Sequence, residues 1–186
     1  MARPRSEEAR QKMLDAVTEL ALTRGVRALT IDEVARRSGV AKTTIYRHFP
    51  SKNQLIVTAI DGITPVPEVP DTGCLHDDLV QFLGNVLPIF ADRDLRALFL
   101  DIMATAVFDQ ELAGLHHSMM EARGQALASI VTRAKARGEL PDDMAMDVAF
   151  VLIEGPLIVR SLSDPATLDD LDLERLVERI IARLNV

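Results

Sequence analysis

The stretch "TIDEVARRSGVAKTTIYRHFPSKNQL", residues 30–55, holds two short helical patterns on either side of Ser38-Gly39, with the chain's single tyrosine, Tyr46, in the second. Thr30 followed three residues later by Glu33 reads as a capping box, and Ile31, Val34 and Ala35 supply the buried stripe of the helix it opens. Ser38-Gly39 breaks that helix. A further helix is predicted from about Ala41 to His48, closed by Phe49-Pro50, and Ser51 with Gln54 forms another capping box for the helix that buries Leu55, Ile56 and Ile60 and ends at Gly62. Upstream, Met13, Leu14, Val17, Leu20 and Ala21 share one face of a helix over 7–24 that stops at Gly25.

Two short helices joined by a tight turn containing glycine form a helix-turn-helix, whose second helix enters the DNA major groove. Ala35 is small enough for close helix approach, Gly39 tolerates the turn, and Ile45 anchors the second helix, with Val40 closing the turn. With Ile45 inward, Lys42, Thr43, Thr44, Tyr46 and Arg47 face outward or flank. Threonine methyls and hydroxyls suit base edges, Lys42 suits guanine N7 and O6, and Tyr46 and His48 suit phosphates near the helix end. Lys52 opens the next helix, where its own charge and the helix N-terminus attract the same phosphate. The alternative for Tyr46 is a ring that only packs.

Charge is distributed to match. Residues 1–62 carry 11 Lys and Arg against 7 Asp and Glu, a net of +4, and residues 63–186 carry 10 against 21, a net of −11. A basic module on an acidic body directs a polyanion to the module alone. The single Cys74 excludes an intramolecular disulfide and a multi-cysteine zinc site, and the polar start "MARPRSEEAR" has no apolar core of a signal peptide, so a cytoplasmic location is expected. Apolar runs are too short to span a bilayer.

Residues 63–74, "ITPVPEVPDTGC", place three prolines within six residues and mark the expected domain boundary, 1–62 before it and 63–186 after it. Beyond it the periodicity predicts helices over about 76–91, 93–107, 109–137, 143–161 and 168–184, with Asp164-Pro165 as an N-cap and first helical residue. The expected class is therefore all-α, with about nine helices. The run "VAFVLIEGPLIV" is apolar nearly all round, and Leu173, Leu176, Val177, Ile180, Ile181 and Leu184 form a wide stripe on the last helix. With Phe150 and Leu157, these residues suit half of a four-helix dimer seam; the alternative is that both helices complete a monomeric core.

Residues 30–55 resemble the DNA-binding signature of the TetR family of bacterial transcriptional regulators: the Thr-capped helix, the Ser-Gly-Val turn, the Ile-Tyr-x-His-Phe end and the Ser-Lys helix start occur together in register. Ala41 departs from the pattern, where many members have serine. The resemblance covers roughly residues 7–62. It implies that Thr30, Tyr46, His48 and Lys52 contact phosphate, that residues 41–47 read bases, and that the remaining helices bind a small molecule and dimerise through the last two. The implied protein is a homodimeric repressor on a palindromic operator, released by a small apolar or amphipathic effector; the alternative is a regulator whose C-terminal domain only dimerises or binds another protein.

A Met- and Phe-rich lining of Phe82, Phe99, Met103, Phe108, Met119, Met120 and Phe150 suits an apolar ligand, though such stripes also build plain core; His116 is a candidate hydrogen-bonding group. Adjacent His116 and His117 diverge by about 100° on a helix and cannot share one metal, so no metal or other cofactor is expected. No nucleophile-base pair or paired carboxylate stands at a catalytic spacing, and the acidic clusters "HDDL", "PDDM" and "LDDLDLE" sit at helix starts, where the dipole favours them, so no enzymatic activity is expected.

Overall fold

A computed structural model describes residues 3–61 and 68–185. Among the described residues the chain is helical without strands: α1 (Arg3–Arg24), α2 (Ile31–Ser38), α3 (Lys42–His48), α4 (Lys52–Asp61), α5 (Leu75–Ala91), α6 (Arg93–Ala106), α7 (Gln110–Ala136), α8 (Met146–Ser163), a 3-10 turn (Pro165–Leu168) and α9 (Leu173–Leu184). No described helix is long and apolar enough to cross a membrane. The chain packs as two compact units, Met1–Pro65 with Ala97–Ser118, and Val66–Arg96 with Met119–Val186. The boundary expected at residue 62, the end of the fourth helix at Gly62 and the prolines at 65 and 67 lie outside the described residues. Residues 97–118, which the sequence reading places in the second domain, pack with the first unit.

In the first unit Met13, Val17, Val34, Ile45, Leu55, Ile56 and Ile60 are fully buried, so the apolar stripes of α1 to α4 converge on one core. The caps are those expected. The Glu33 amide donates to Thr30 Oγ1 at 3.3 Å, the Thr30 hydroxyl donates to the Glu33 carboxylate at 3.1 Å, and the Gln54 amide donates to Ser51 Oγ at 3.0 Å. α6 joins this unit through Asp101, whose carboxylate accepts the Val26 amide at 2.5 Å. Gly25 has φ +80°, and a Cβ there would stand 2.7 Å from Asp101 Oδ2, so the helix stop is also a place where a carboxylate approaches bare backbone. At the start of α7, Asp109 accepts the Glu111 and Leu112 amides at 3.0 and 3.1 Å and Asn53 Nδ2 at 3.3 Å. These long-range bonds explain why 97–118 belong with the first unit.

In the second unit α5 packs against α8 and α9, and Phe82, Leu83, Val86, Phe90, Leu127, Ile130, Ile153, Leu157 and Val177 are fully buried. Asp78 is buried and satisfied: it accepts the Thr72 amide at 2.7 Å and the Thr72 hydroxyl at 2.8 Å, and it faces Arg137 at 3.4 Å and Arg133 at 3.9 Å. The last helix begins later than expected. Asp164-Pro165 starts only the 3-10 turn, and α9 opens at Leu173, where Asp172 accepts the Arg175 amide at 3.0 Å.

Candidate nucleic-acid interface

The turn between α2 and α3 is built from backbone and one hydroxyl. Gly39, at φ +70°, donates its amide to the Ala35 carbonyl at 3.0 Å, the left-handed stop that only glycine adopts without steric cost. Ser38 Oγ donates to the Val34 carbonyl at 2.7 Å and accepts the Val40 amide at 3.2 Å, which fixes the direction in which the chain leaves α2. Sequence reasoning treats Ser38 only as a breaker; the pattern Ser-Gly-Val after a helix is the signal for this role. α3 starts without a side-chain cap, because Ala41 has none to offer, and its carbonyl accepts the Thr44 and Ile45 amides at 2.8 and 3.1 Å.

Ile45 is fully buried and Phe49 nearly so, and this sets the rotation of α3. Lys42, Thr43, Tyr46 and Arg47 are exposed, Thr44 and His48 half-buried, and Thr30 exposed at the start of α2. Tyr46 keeps 52% of its surface exposed, more than a ring that only packs requires. His48 Nε2 lies 3.4 Å from Ser6 Oγ, and the Arg10 guanidinium lies over the Phe49 ring at 6.0 Å, so α1 supports the end of α3. Lys42 forms an ion pair with Asp32, Arg37 with Glu19 and Arg24 with Glu33. Exposed pairs of this kind contribute little to stability, so a phosphate or base acceptor can replace the carboxylate at small cost.

Lys52 is half-buried in the first turn of α4, beside the Asn53–Asp109 contact. The Leu112 and Glu111 amides, Asn53 and the Lys52 charge together hold the Asp109 carboxyl below its ordinary range, the Leu112 bond contributing most. Asp109 is therefore ionised at neutral pH and competes with any phosphate for Lys52.

The other candidate residues divide between the units. Phe99 is buried and Met103 and His116 are half-buried in the first, where Phe108, expected in an apolar lining, is instead 82% exposed; Phe82 is buried and Met119, Met120 and Phe150 are half-buried in the second. Burial, and secondarily the neighbouring His117, push the His116 imidazole below its usual pKa, which keeps it neutral. Two residues absent from the sequence-based site stand out: Arg123 and Glu154, both buried in the second unit. Glu154 is the one charge in an apolar run, and that is the signal that could have found it.

The expected dimer seam needs correction. Leu157, Val177 and Leu184 are fully buried and Ile180 is 4% exposed within a single chain, so these four have no surface left to offer a partner. Val177, Ile180 and Leu184 face the core, where α9 packs against α5 and α8. Phe150, Leu173 and Leu176 are half-buried. Val107 and Phe108, between α6 and α7, are exposed by 74 and 82%, and α8 carries a row of exposed apolar groups, Val148, Val151, Val159 and Leu162, exposed by 46, 65, 61 and 60%, at spacings that align them on one face.

Two family models match the chain: "Bacterial regulatory proteins, tetR family" over residues 13–59, and "Tetracyclin repressor-like, C-terminal domain" over residues 69–180. An uncharacterised HTH-type transcriptional regulator of Mycobacterium bovis is 32% identical over 179 residues, covering 92% of this chain and 86% of that protein. Among solved structures, Salmonella enterica GusR superposes with a TM-score of 0.78 at 19% identity, covering 100% of this chain and 99% of that one. Bacillus subtilis FadR in complex with stearoyl-CoA superposes with a TM-score of 0.70 at 18% identity, covering 94% and 97%. The last two share the fold.

Proposed function

Because the chain belongs to the TetR family and is a helix-turn-helix DNA-binding regulator, we propose that it is a repressor which binds a palindromic operator as a homodimer and leaves it when a small apolar or amphipathic effector binds. The observation that carries the DNA reading is the rotation of α3: Ile45 is buried on one side, and Lys42, Thr43, Tyr46 and Arg47 are exposed on the other. Thr30, Tyr46, His48 and Lys52 position the backbone, and Lys42, Thr43, Thr44 and Arg47 read bases. Residues 1–62 hold the reader, and residues 63–186 hold the effector and dimer functions.

Support for dimerisation is the exposed apolar face of α8, which a second copy covers in an isologous contact. A symmetric pair presents two recognition helices about 34 Å apart, one turn of B-DNA. Support for an effector is the family's repressor model over 69–180 and the amphiphile held by the FadR fold. Phe82, Met119 and Phe150, all in the second unit, are its candidate contacts. Coupling runs through the α6–α7 junction: Asp101 holds the end of α1 and Asp109 holds Asn53, next to Lys52. A shift of α6 therefore moves α4 and the reader.

The test is salt-dependent DNA binding. Lys52→Ala is expected to weaken binding to every sequence and to reduce the slope of log affinity against log salt by roughly 1. Lys42→Ala is expected to change base preference by about 1–3 kcal/mol at one position of each half-site. Unchanged slope and unchanged preference in both variants would remove α3 and α4 from the interface.

A further inference from the structure

In the second unit, Glu154 of α8 is 0% exposed and Arg123 of α7 is 5% exposed. Arg123 Nε stands 3.9 Å from Glu154 Oε2, about 1 Å longer than a charge-assisted hydrogen bond, and the guanidinium lies over the Phe90 ring at 5.6 Å. Neither Oε1 nor Oε2 of Glu154 accepts a hydrogen bond among the described residues. Asp78, the other buried carboxylate of the unit, has two donors and two arginines around it. A buried carboxylate without donors carries the full cost of leaving water, and a well-packed apolar side chain would be at least as stable there. Burial accordingly raises the Glu154 carboxyl above its ordinary range, against the pull of Arg123.

We propose that Glu154 accepts a hydrogen bond from the effector, and that the effector is an uncharged amphiphile with an O–H or N–H donor on an apolar body. The inference rests on the reading of this protein as effector-responsive, and it adds the chemical class. Charge selects the class. Arginine stays protonated, so the pair is neutral only when Glu154 is ionised. A cationic ligand would then leave a net positive charge in an apolar interior, and an anionic ligand would face the carboxylate. A neutral donor completes the carboxylate's shell and leaves the net charge at zero. The surroundings suit the rest of such a molecule, since Phe90, Ile153 and Leu157 are fully buried neighbours in sequence or contact of the two charged groups.

Four probes that share a 4-propylphenyl body separate the possibilities: 4-propylphenol, its methyl ether 4-propylanisole, 4-propylbenzoate and protonated 4-propylbenzylamine. Titration calorimetry of the full chain is expected to show the phenol binding at least about tenfold more tightly than the ether, and more tightly than either ion. Glu154→Leu alone changes the local charge by removing the carboxylate that faces Arg123 at 3.9 Å, so the comparison uses Glu154→Gln and the charge-neutral pair Glu154→Leu with Arg123→Met. The paired variant is expected to bind phenol and ether within about twofold of one another, with ether affinity retained, and Glu154→Gln to fall between. Equal binding of phenol and ether to the wild type, tighter binding of an ion, or a phenol advantage that survives in the paired variant would overturn the proposal while leaving an apolar effector site in place. If none of the four binds the wild type, the effector reading fails, and this proposal with it.

Discussion

Ile180→Asp is expected to unfold the second unit, not to separate two copies of it. Ile180 is 4% exposed and lies on the face of α9 that also buries Val177 and Leu184. An aspartate there replaces an apolar side chain on the buried face of α9, so it is either buried charged or pulls α9 away from α5 and α8. The cost, at least about 4 kcal/mol, is a large share of the 5–15 kcal/mol that separates folded from unfolded domains. Chemical denaturation followed by circular dichroism should show the midpoint collapse or the loss of a cooperative transition. A variant as stable as wild type would mean that Ile180 is accessible and that the inward face of α9 has been misassigned.

Val151→Asp combined with Val159→Asp should do the opposite. Both valines are well over half exposed in the single chain, so the substitution leaves the core intact and the denaturation midpoint close to wild type. In a dimer built on α8, however, it places four carboxylates on one apolar face, and like charges repel there while they lose water. Sedimentation is expected to show folded monomers. Operator affinity should then fall by roughly 10²- to 10⁴-fold, because the second half-site contact ceases to be intramolecular. A dimeric double variant with undiminished affinity would move the seam elsewhere.

Much of the reader is legible in residues 30–55 because its determinants are local. Thr30 with Glu33, Ser51 with Gln54, Gly39 after α2 and Ile45 within α3 each act over four residues or fewer, and the structure places all of them as their spacing implies. Contacts between distant residues leave no such trace. Asp101 meets Val26 across 75 positions and Asp109 meets Asn53 across 56, and neither aspartate differs in sequence from an ordinary solvated one. Gly25 reads as a helix stop, and the carboxylate packed on it is visible only in three dimensions. The last two helices show a different limit. α8 is apolar nearly all round, so periodicity gives it no inward direction, and a wide stripe on α9 serves a monomer core as well as a seam. Only the burial of Val177, Ile180 and Leu184 decides that their face of α9 points inward, and only the exposure of Val148, Val151, Val159 and Leu162 gives α8 an outer apolar face. Glu154 is conspicuous within its apolar run, but Arg123, 31 residues earlier in an ordinary helical pattern, gives no sign of being its neighbour.

Reading of DNA by α3 from a symmetric dimer is measured directly by selecting bound sequences from a random duplex library with the purified protein. The expected result is an enriched inverted repeat with half-site centres about one helical turn, or a multiple of it, apart. Selection with Lys42→Ala or Thr43→Ala should change bases within each half-site and keep the repeat, whereas the Val151→Asp and Val159→Asp double variant should enrich at most a single half-site. No enriched sequence, or the same repeat selected by wild type and both α3 variants, would contradict the assignment of α3 as the reader.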